Sequence, residues 1–360
     1  MARITIVGSR GIPNAYGGFE WLAERLSLHL SAAGHQVYVC QSTQHPYKAP
    51  YLGMIQLVRA WDPPIGPAGQ LIYDLLSILK VRGLDPDVII ILGYTSSAIW
   101  SFLLPKRSSI LQHMDGMEWK RAKYSRFAKA FLRQSEKVAA RSADILIADH
   151  PVIMNYLQNQ YPEKATAYIA YGEDDTVPET PLKALETKTF DLIMARLEPE
   201  NQIDLMIEGW IGAGLPHRLA IAGSLSTAYS RKLVNKYHFA ANVVFLNGVF
   251  DKGKAIWLRR HCRYYLHGHS AGGTNPSLIQ VLTHHRRILV HANPFNAYLA
   301  ETYGLKMFAS APGLANALKE EPPTNEVSLL TEHRWHEVLK RFDNEIASAI
   351  RLKNKHISLQ

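Results

Sequence analysis

Ile4-Thr5-Ile6-Val7-Gly8-Ser9-Arg10-Gly11-Ile12-Pro13-Asn14-Ala15-Tyr16-Gly17-Gly18-Phe19-Glu20 stands near the start of the chain and sets the fold. Ile4–Val7 is an apolar run without alternation, the mark of a strand buried on both faces. From Glu20 to Ala33, Leu22, Leu26 and Leu30 recur at helical spacing; Gly34 stops that helix, and Val37–Cys40 is the next apolar run. Strand, helix, strand at this spacing implies a parallel pair joined by a right-handed crossover. The glycines between strand and helix lack the GxGxxG spacing of a dinucleotide fingerprint. They still form a Gly-rich loop entering a helix N-terminus, where N–H groups and the helix dipole suit a phosphate, with Gly17 and Gly18 placed for close approach.

The alternation continues through Val88–Leu92, Ile110–Leu111 and Ile145–Ala148. It breaks at Glu173–Lys188, a polar stretch with two prolines that reads as a linker. It restarts at Phe190–Met194, Leu219–Ala222, Val243–Leu246, Tyr264–Leu266, Ile288–Val290 and Lys306–Phe308. The expected organisation is therefore a domain over 1–172, a linker over 173–188, a second domain over 189–325, and a helical segment over 326–360 returning toward the first. Both domains are expected to be doubly wound α/β sheets, with ligands beyond the carboxyl ends of the strands and those ends facing each other across a cleft.

The 360 residues suffice for two cores, and 47% hydrophobic with 20% charged residues is a globular composition. No apolar run approaches the ~20 residues that span a bilayer. The first residues read as a strand rather than a signal peptide, and two distant cysteines, Cys40 and Cys262, argue against a disulfide framework or a cysteine-based zinc site, so a cytoplasmic setting is expected. A formal charge of +9 suits anionic partners; no RNA- or DNA-binding module accompanies it, and nucleic acid is not expected as a partner.

Further stretches bear on the chemistry. Gln112-His113-Met114-Asp115-Gly116-Met117-Glu118 follows a strand, so Asp115 and Glu118 are carboxylates at a carboxyl end, where they can accept bonds from sugar hydroxyls. Trp119–Arg133 mixes basic and aromatic residues with no acid, which fits either a solvated helix or a surface for anionic lipid. Asp85-Pro86-Asp87 has the spacing of some metal sites but precedes a strand and reads as a turn, and His284-His285 reads as surface. Tyr264–Gln280 is the richest segment: a strand ending near His267, then Gly268, Gly272 and Gly273, then Thr274 or Asn275 as cap before Pro276 in a first helical turn. That is a seat for a pyrophosphate.

Across both halves the chain resembles bacterial GT-B glycosyltransferases of glycosyltransferase family 4, most closely the branch with rhamnosyltransferases of surface-polysaccharide assembly. The resemblance rests on Tyr16–Glu20, Asp115–Arg121, Tyr168–Gly172, Ala195–Asn201 and His267–Ser277. It implies a GT-B architecture of two Rossmann-like domains. It also implies a retaining transfer from a nucleoside-diphosphate sugar, first of all deoxythymidine-diphosphate rhamnose, to a saccharide or lipid-linked acceptor, with no metal or cofactor. The N-terminal domain would hold the acceptor and the C-terminal domain the donor. Gly17 and Gly18 would approach the donor phosphates, and Arg196 would neutralise the pyrophosphate. Gly272, Gly273, Thr274, Asn275 and Ser277 would hold phosphates and sugar, and Asp115, with Glu118 near it, would contact the transferring sugar. Relatives carry a Glu that bonds ribose where this chain has Gln280, a Lys near the place of Asn201, and, in the wider family, another Glu at the place of Gly272.

Two other functions share these features. A sugar-nucleotide epimerase would use the same fold without an acceptor, and a non-catalytic nucleotide-sugar-binding relative would explain Gln280. A product assay separates the transferase from the epimerase, and tight nucleotide binding without turnover marks the non-catalytic relative.

Overall fold

The structure is a computed structural model. It describes the chain except residues 16, 122–123, 174–176, 250, 271–272, 323–328 and 358–360, and the side chains of 353–357. Tyr16, Lys123 and Gly272 lie outside the described residues. The chain forms two compact units: Met1–Lys120, Tyr124–Gly172 and Glu332–Gln360 in one, Arg121–Lys123 and Glu173–Thr331 in the other.

The first unit runs β1 (Arg3–Val7), α1 (Gly18–Ala32), β2 (Gln36–Ser42), β3 (Tyr51–Leu52), β4 (Ile55–Ala60), α2 (Pro67–Leu84) and β5 (Val88–Leu92). A 3-10 helix (Ala98–Leu103), β6 (Ser109–His113), a short 3-10 turn (Glu118–Lys120), α3 (Arg126–Ser142), β7 (Ile145–Ala148), α4 (Pro151–Gln160) and β8 (Ala165–Tyr168) follow. Among the described residues the sheet order is β3-β4-β2-β1-β5-β6-β7-β8, parallel except for the β3–β4 hairpin. Ile4, Ile6, Val39, Val88 and Ile90 are sealed from water between the helices; Leu22, Leu26 and Leu30 of α1 pack on the same core. Each such side chain stabilises the fold by ~1.5–3 kcal/mol.

In the second unit β9 (Phe190–Met194), α5 (Ile203–Ala213), β10 (Arg218–Gly223), α6 (Ala228–Lys236), β11 (Val243–Asn247), α7 (Lys252–His261) and β12 (Tyr265–His267) come first. Then follow α8 (Pro276–Leu282), β13 (Ile288–His291), α9 (Pro294–Tyr303), β14 (Lys306–Phe308) and α10 (Ala311–Leu318). The order β11-β10-β9-β12-β13-β14 is all parallel and doubly wound, with one apolar core on each face. The α/β class with two parallel sheets is as the sequence predicts.

Several local expectations are corrected. The hairpin β3–β4 and strand β8 carry no continuous apolar run, which is why the sequence does not reveal them. Within Glu173–Lys188, Leu185 is buried in the second unit's core, and Thr180 N–H bonds Gly253 O at 3.0 Å. The last helix, α11 (Trp335–Ile357), begins well after Glu326. Leu329 anchors in the second unit's core while Trp335, Val338, Phe342 and Ile346 anchor in the first, so the chain crosses between them before the helix can start. His285 is buried, with Nε2 2.6 Å from Arg259 O, in the turn that follows α8; His284 is partly covered.

Candidate functional site

Each sheet reverses its strand order once, between β1 and β5 in the first unit and between β9 and β12 in the second. A doubly wound sheet opens a crevice at that place, because neighbouring crossovers leave on opposite faces.

In the first unit that crevice is a cavity of about 240 Å³ lined by Gly8, Arg10, Phe19, Glu20, Gln70, Asp74, Leu92, Gly93, Thr95, Ser96, Ser97 and Asp115. Gly8 makes room for it: its φ is +91°, and a Cβ there would lie 2.2 Å from Leu92 O. The Glu20 carboxylate accepts the Arg10 N–H at 2.9 Å, and that of Glu24 accepts the Asn14 N–H at 2.6 Å, tying the loop to α1. Arg10 Nη1 donates to Asp62 Oδ2 at 2.6 Å and Nη2 to Gln70 Oε1 at 3.1 Å. Buried Asp74 accepts bonds from the Ser96 hydroxyl and, at 3.2 Å, the Gln70 amide. Burial pushes its carboxyl up to about 6, against the opposing pull of those two bonds. Asp115 sits in the left-handed region at φ 51°, which Asp tolerates better than most residues, and its N–H donates to His113 Nδ1 at 3.2 Å. Burial pushes His113 down to about 4, so the ring is neutral at pH 7.

The crevice of the second unit gathers Arg196 after β9 and the glycine loop after β12. The Arg196 side chain is 68% exposed, with Glu198 Oε1 3.9 Å away. Asn201 fixes the turn by donating from Nδ2 to Arg196 O at 2.7 Å. Gly268 passes against the same turn, where a Cβ would lie 2.2 Å from Asn201 O. Arg121 pairs with Glu200 at 2.7 Å, both side chains largely covered, and Ser270 donates its N–H and hydroxyl to Glu200 O. His267 and His269 stack with ring centroids 4.5 Å apart. Burial, then Arg196 and Arg121, push His269 down to about 3; neither ring nitrogen of His267 has a partner among the described residues.

Of the sequence-derived site residues, Asp115 lines the first cavity, while Glu118 is buried beside it and is not among the lining residues. Gly17 precedes α1 in extended backbone with φ −175°, a conformation any residue adopts, and Gly18 opens the helix. Thr274 is buried; Asn275 rather than Thr274 caps α8, accepting the Ser277 N–H at 3.0 Å, so that donor is occupied. The Ser277 hydroxyl meets the Tyr265 hydroxyl at 2.7 Å. Gly273 follows the undescribed residues 271–272, and Gln280 turns its oxygen to Arg259. The sequence reading does not pick out Asp62, Asp74 or Glu200, since nothing local marks them. Asp85 and Asp87 are structural: Asp85 closes α2 and Asp87 accepts the Arg3 N–H. Among the described residues no group of three or more His, Cys, Asp or Glu side chains is placed to hold a metal ion.

Within Trp119–Arg133, the helix α3 starts only at Arg126, with Ser125 as cap. Phe127 is 90% exposed and Phe131 is exposed beside it; Phe102, on the 3-10 helix that packs against α3, is 75% exposed. Arg126, Arg133 and Lys137 are exposed, whereas Glu118 and Glu136 are buried. Glu136 collects bonds from Trp119, Tyr156 and Tyr161. No helix among the described residues is long and apolar enough to cross a membrane.

Residues 1–174 match a family described as "Domain of unknown function (DUF1972)". No curated protein matches the chain in sequence. Among solved structures the chain is similar to a sucrose-phosphate synthase from Thermosynechococcus elongatus, with TM-score 0.72 and 16% identity over 100% of this chain and 99% of that one. It is similar to Anabaena HepE in complex with UDP and glucose, with TM-score 0.68 and 16% identity over 100% of both. It is also similar to an α,α-trehalose 6-phosphate synthase from Burkholderia multivorans, with TM-score 0.65 and 12% identity over 99% and 98%. With two parallel-sheet Rossmann-like domains and likenesses that run the length of both chains, this protein has the α/β GT-B fold.

Proposed function

We propose that the protein is a glycosyltransferase that moves a sugar from a nucleoside diphosphate to a saccharide or lipid-linked acceptor. The observation that carries this reading is the exposed Arg196 guanidinium beside the glycine loop, at the switch point of the second sheet. A forked, permanently charged donor set fits a pyrophosphate, and charge aimed at a departing nucleoside diphosphate lowers the barrier to transfer. The likeness to HepE, which is described with UDP and glucose, supports a nucleotide-sugar donor.

In this reading Gly17, Gly18, Gly272, Gly273, Thr274, Asn275 and Ser277 serve the donor, Gln280 lies near its ribose, and Asp115 with Glu118 serves the transferring sugar. Rhamnose, retention of configuration, and a role in surface-polysaccharide assembly at the inner face of the cytoplasmic membrane complete it, by resemblance. The unpaired, buried Cys40 and Cys262 suit that reducing side. The exposed phenylalanines and basic side chains of α3 suit peripheral contact with anionic lipid.

The test is release of nucleoside diphosphate from a panel of nucleotide sugars, with and without saccharide acceptors, after thermal-shift screening for donors. Transfer that Arg196→Ala reduces by roughly 10²–10³ supports the reading; an epimerised donor with no acceptor product rejects it. A non-catalytic nucleotide-sugar binder is the second reading, favoured by the engagement of the Gln280 oxygen with Arg259. Tight donor binding without turnover would select it.

A further inference from the structure

The cavity of the first unit has a chemical preference of its own. Among its described lining residues Arg10 is the one cation, against the carboxylates of Glu20, Asp74 and Asp115. The Arg10 charge is already taken. Asp62 holds it at 2.6 Å, is almost wholly buried, and is itself fixed by the Ser42 hydroxyl at 2.8 Å. A carboxylate accepts hydrogen bonds and donates none, so this wall attracts hydroxyl groups and repels phosphate oxygens. Asp74 uses one oxygen for Ser96 and the other for Gln70, which leaves lone pairs on both for a ligand. Phe19 and Leu92 supply the apolar wall on which the C–H face of a sugar ring can rest. About 240 Å³ gives room for one pyranose unit.

We propose that this cavity binds a neutral, polyhydroxylated sugar unit and turns away phosphorylated sugars, with Asp62 setting the preference by occupying Arg10. The sugar unit is the end of the acceptor, so the inference rests on the transferase reading and deepens it. It sets this chain apart from the sugar-phosphate synthases that share its fold by making the acceptor's charge, rather than its ring, the selected property. Burial raises the Asp74 carboxyl to about 6, so near pH 7.5 it is ionised and a strong acceptor; keeping a buried charge there is a mark of a working site.

The experiment measures binding of methyl α-glucopyranoside and glucose 6-phosphate at pH 7.5, by saturation-transfer NMR and calorimetry. The proteins are the parent, Asp62→Asn and Asp74→Asn, each checked by its thermal melt. The parent binds the glycoside and takes the phosphate at least roughly tenfold more weakly, a gap of one decade in affinity. Asp62→Asn frees Arg10 and closes that gap by strengthening the phosphate, while Asp74→Asn weakens the glycoside. Equal binding of both sugars by the parent overturns the proposal, as does failure of the glycoside to bind. So does a folded Asp62→Asn protein with unchanged discrimination. Titration with nucleotide sugars runs in parallel: a protein that binds a donor but no glycoside refutes this inference alone, and one that binds no donor refutes the transferase reading.

Discussion

Arg259 donates from Nη2 to Gln280 Oε1 across 2.7 Å, joining α7 to α8. A guanidinium can only donate, so the amide orientation is fixed with its oxygen toward Arg259 and its NH2 away. Arg259 is largely buried, burial lowers its pKa, and its Nε has no partner among the described residues. Gln280 therefore offers an approaching ligand donors rather than its best acceptor.

From this pair, Gln280→Glu puts a charged acceptor on a buried cation and stabilises the protein by about 1–2 kcal/mol, while Gln280→Ala costs about 1–3 kcal/mol by leaving Nη2 unsatisfied. Urea unfolding reads both. A Glu also keeps a second oxygen for ribose hydroxyls, so nucleoside diphosphate binds it roughly tenfold more tightly than the parent, and Ala binds most weakly. Equal calorimetric affinities in all three remove residue 280 from the nucleotide site.

The glycines of the first loop separate by the same kind of measurement. Gly8→Ala combines a positive φ with a Cβ inside the Leu92 carbonyl, and costs about 2–4 kcal/mol. A Cβ on Gly17 meets only Glu20 Oε2 at 3.6 Å, so Gly17→Ala changes stability by less than about 0.5 kcal/mol. If Gly17 approaches the donor phosphates, the same variant loses donor affinity while its melt stays put. Unchanged affinity assigns the loop's glycine requirement to Gly8.

Asp74 links pH to stability. Its folded pKa, about 6, lies above the ordinary carboxylate value, mainly through burial. The protonated form is therefore favoured on folding: its contribution is complete below the unfolded pKa near 4 and is lost as pH rises through about 6. Asp74→Asn keeps the shape without the charge, so it is more stable than the parent at pH 7.5 by about 1–3 kcal/mol and level with it below pH 4. Thermal melts from pH 3.5 to 8 follow the difference. A difference independent of pH would mean the carboxyl titrates normally.

For the membrane reading, Arg126→Glu, Lys129→Glu and Arg133→Glu together remove on the order of 1 kcal/mol of attraction per residue. Binding to vesicles containing anionic lipid falls at least tenfold in a flotation assay, and neutral vesicles bind neither protein. Phe127→Ser with Phe131→Ser weakens binding that salt does not abolish, because insertion of the exposed rings is not screened. If both variants float with the parent, α3 is a solvated helix.

The strand-by-strand pattern was readable because parallel strands covered on both faces are continuous apolar runs: Val88–Leu92 and Ile145–Ala148 match their strands residue for residue. Loops were readable where glycine carries a backbone requirement, as after β1 and β12. Short or half-covered strands such as Tyr51–Leu52 and Ala165–Tyr168 were not, since their stability comes from neighbours in the sheet rather than from their own residues.

By itself the sequence determined an α/β chain of two doubly wound units with Gly-rich loops at carboxyl ends, and it brought Asp115 and Arg196 to strand ends, because periodicity and turn chemistry act over a few residues. Tertiary structure decided strand order, and with it the two switch points. It decided that Asp62 neutralises Arg10 from 52 residues away, that Arg259 claims the Gln280 oxygen, and that Leu329 and Trp335 anchor in different cores. Those relationships depend on which elements become neighbours when the sheets form, and a pairing made across the fold leaves no local mark on either partner.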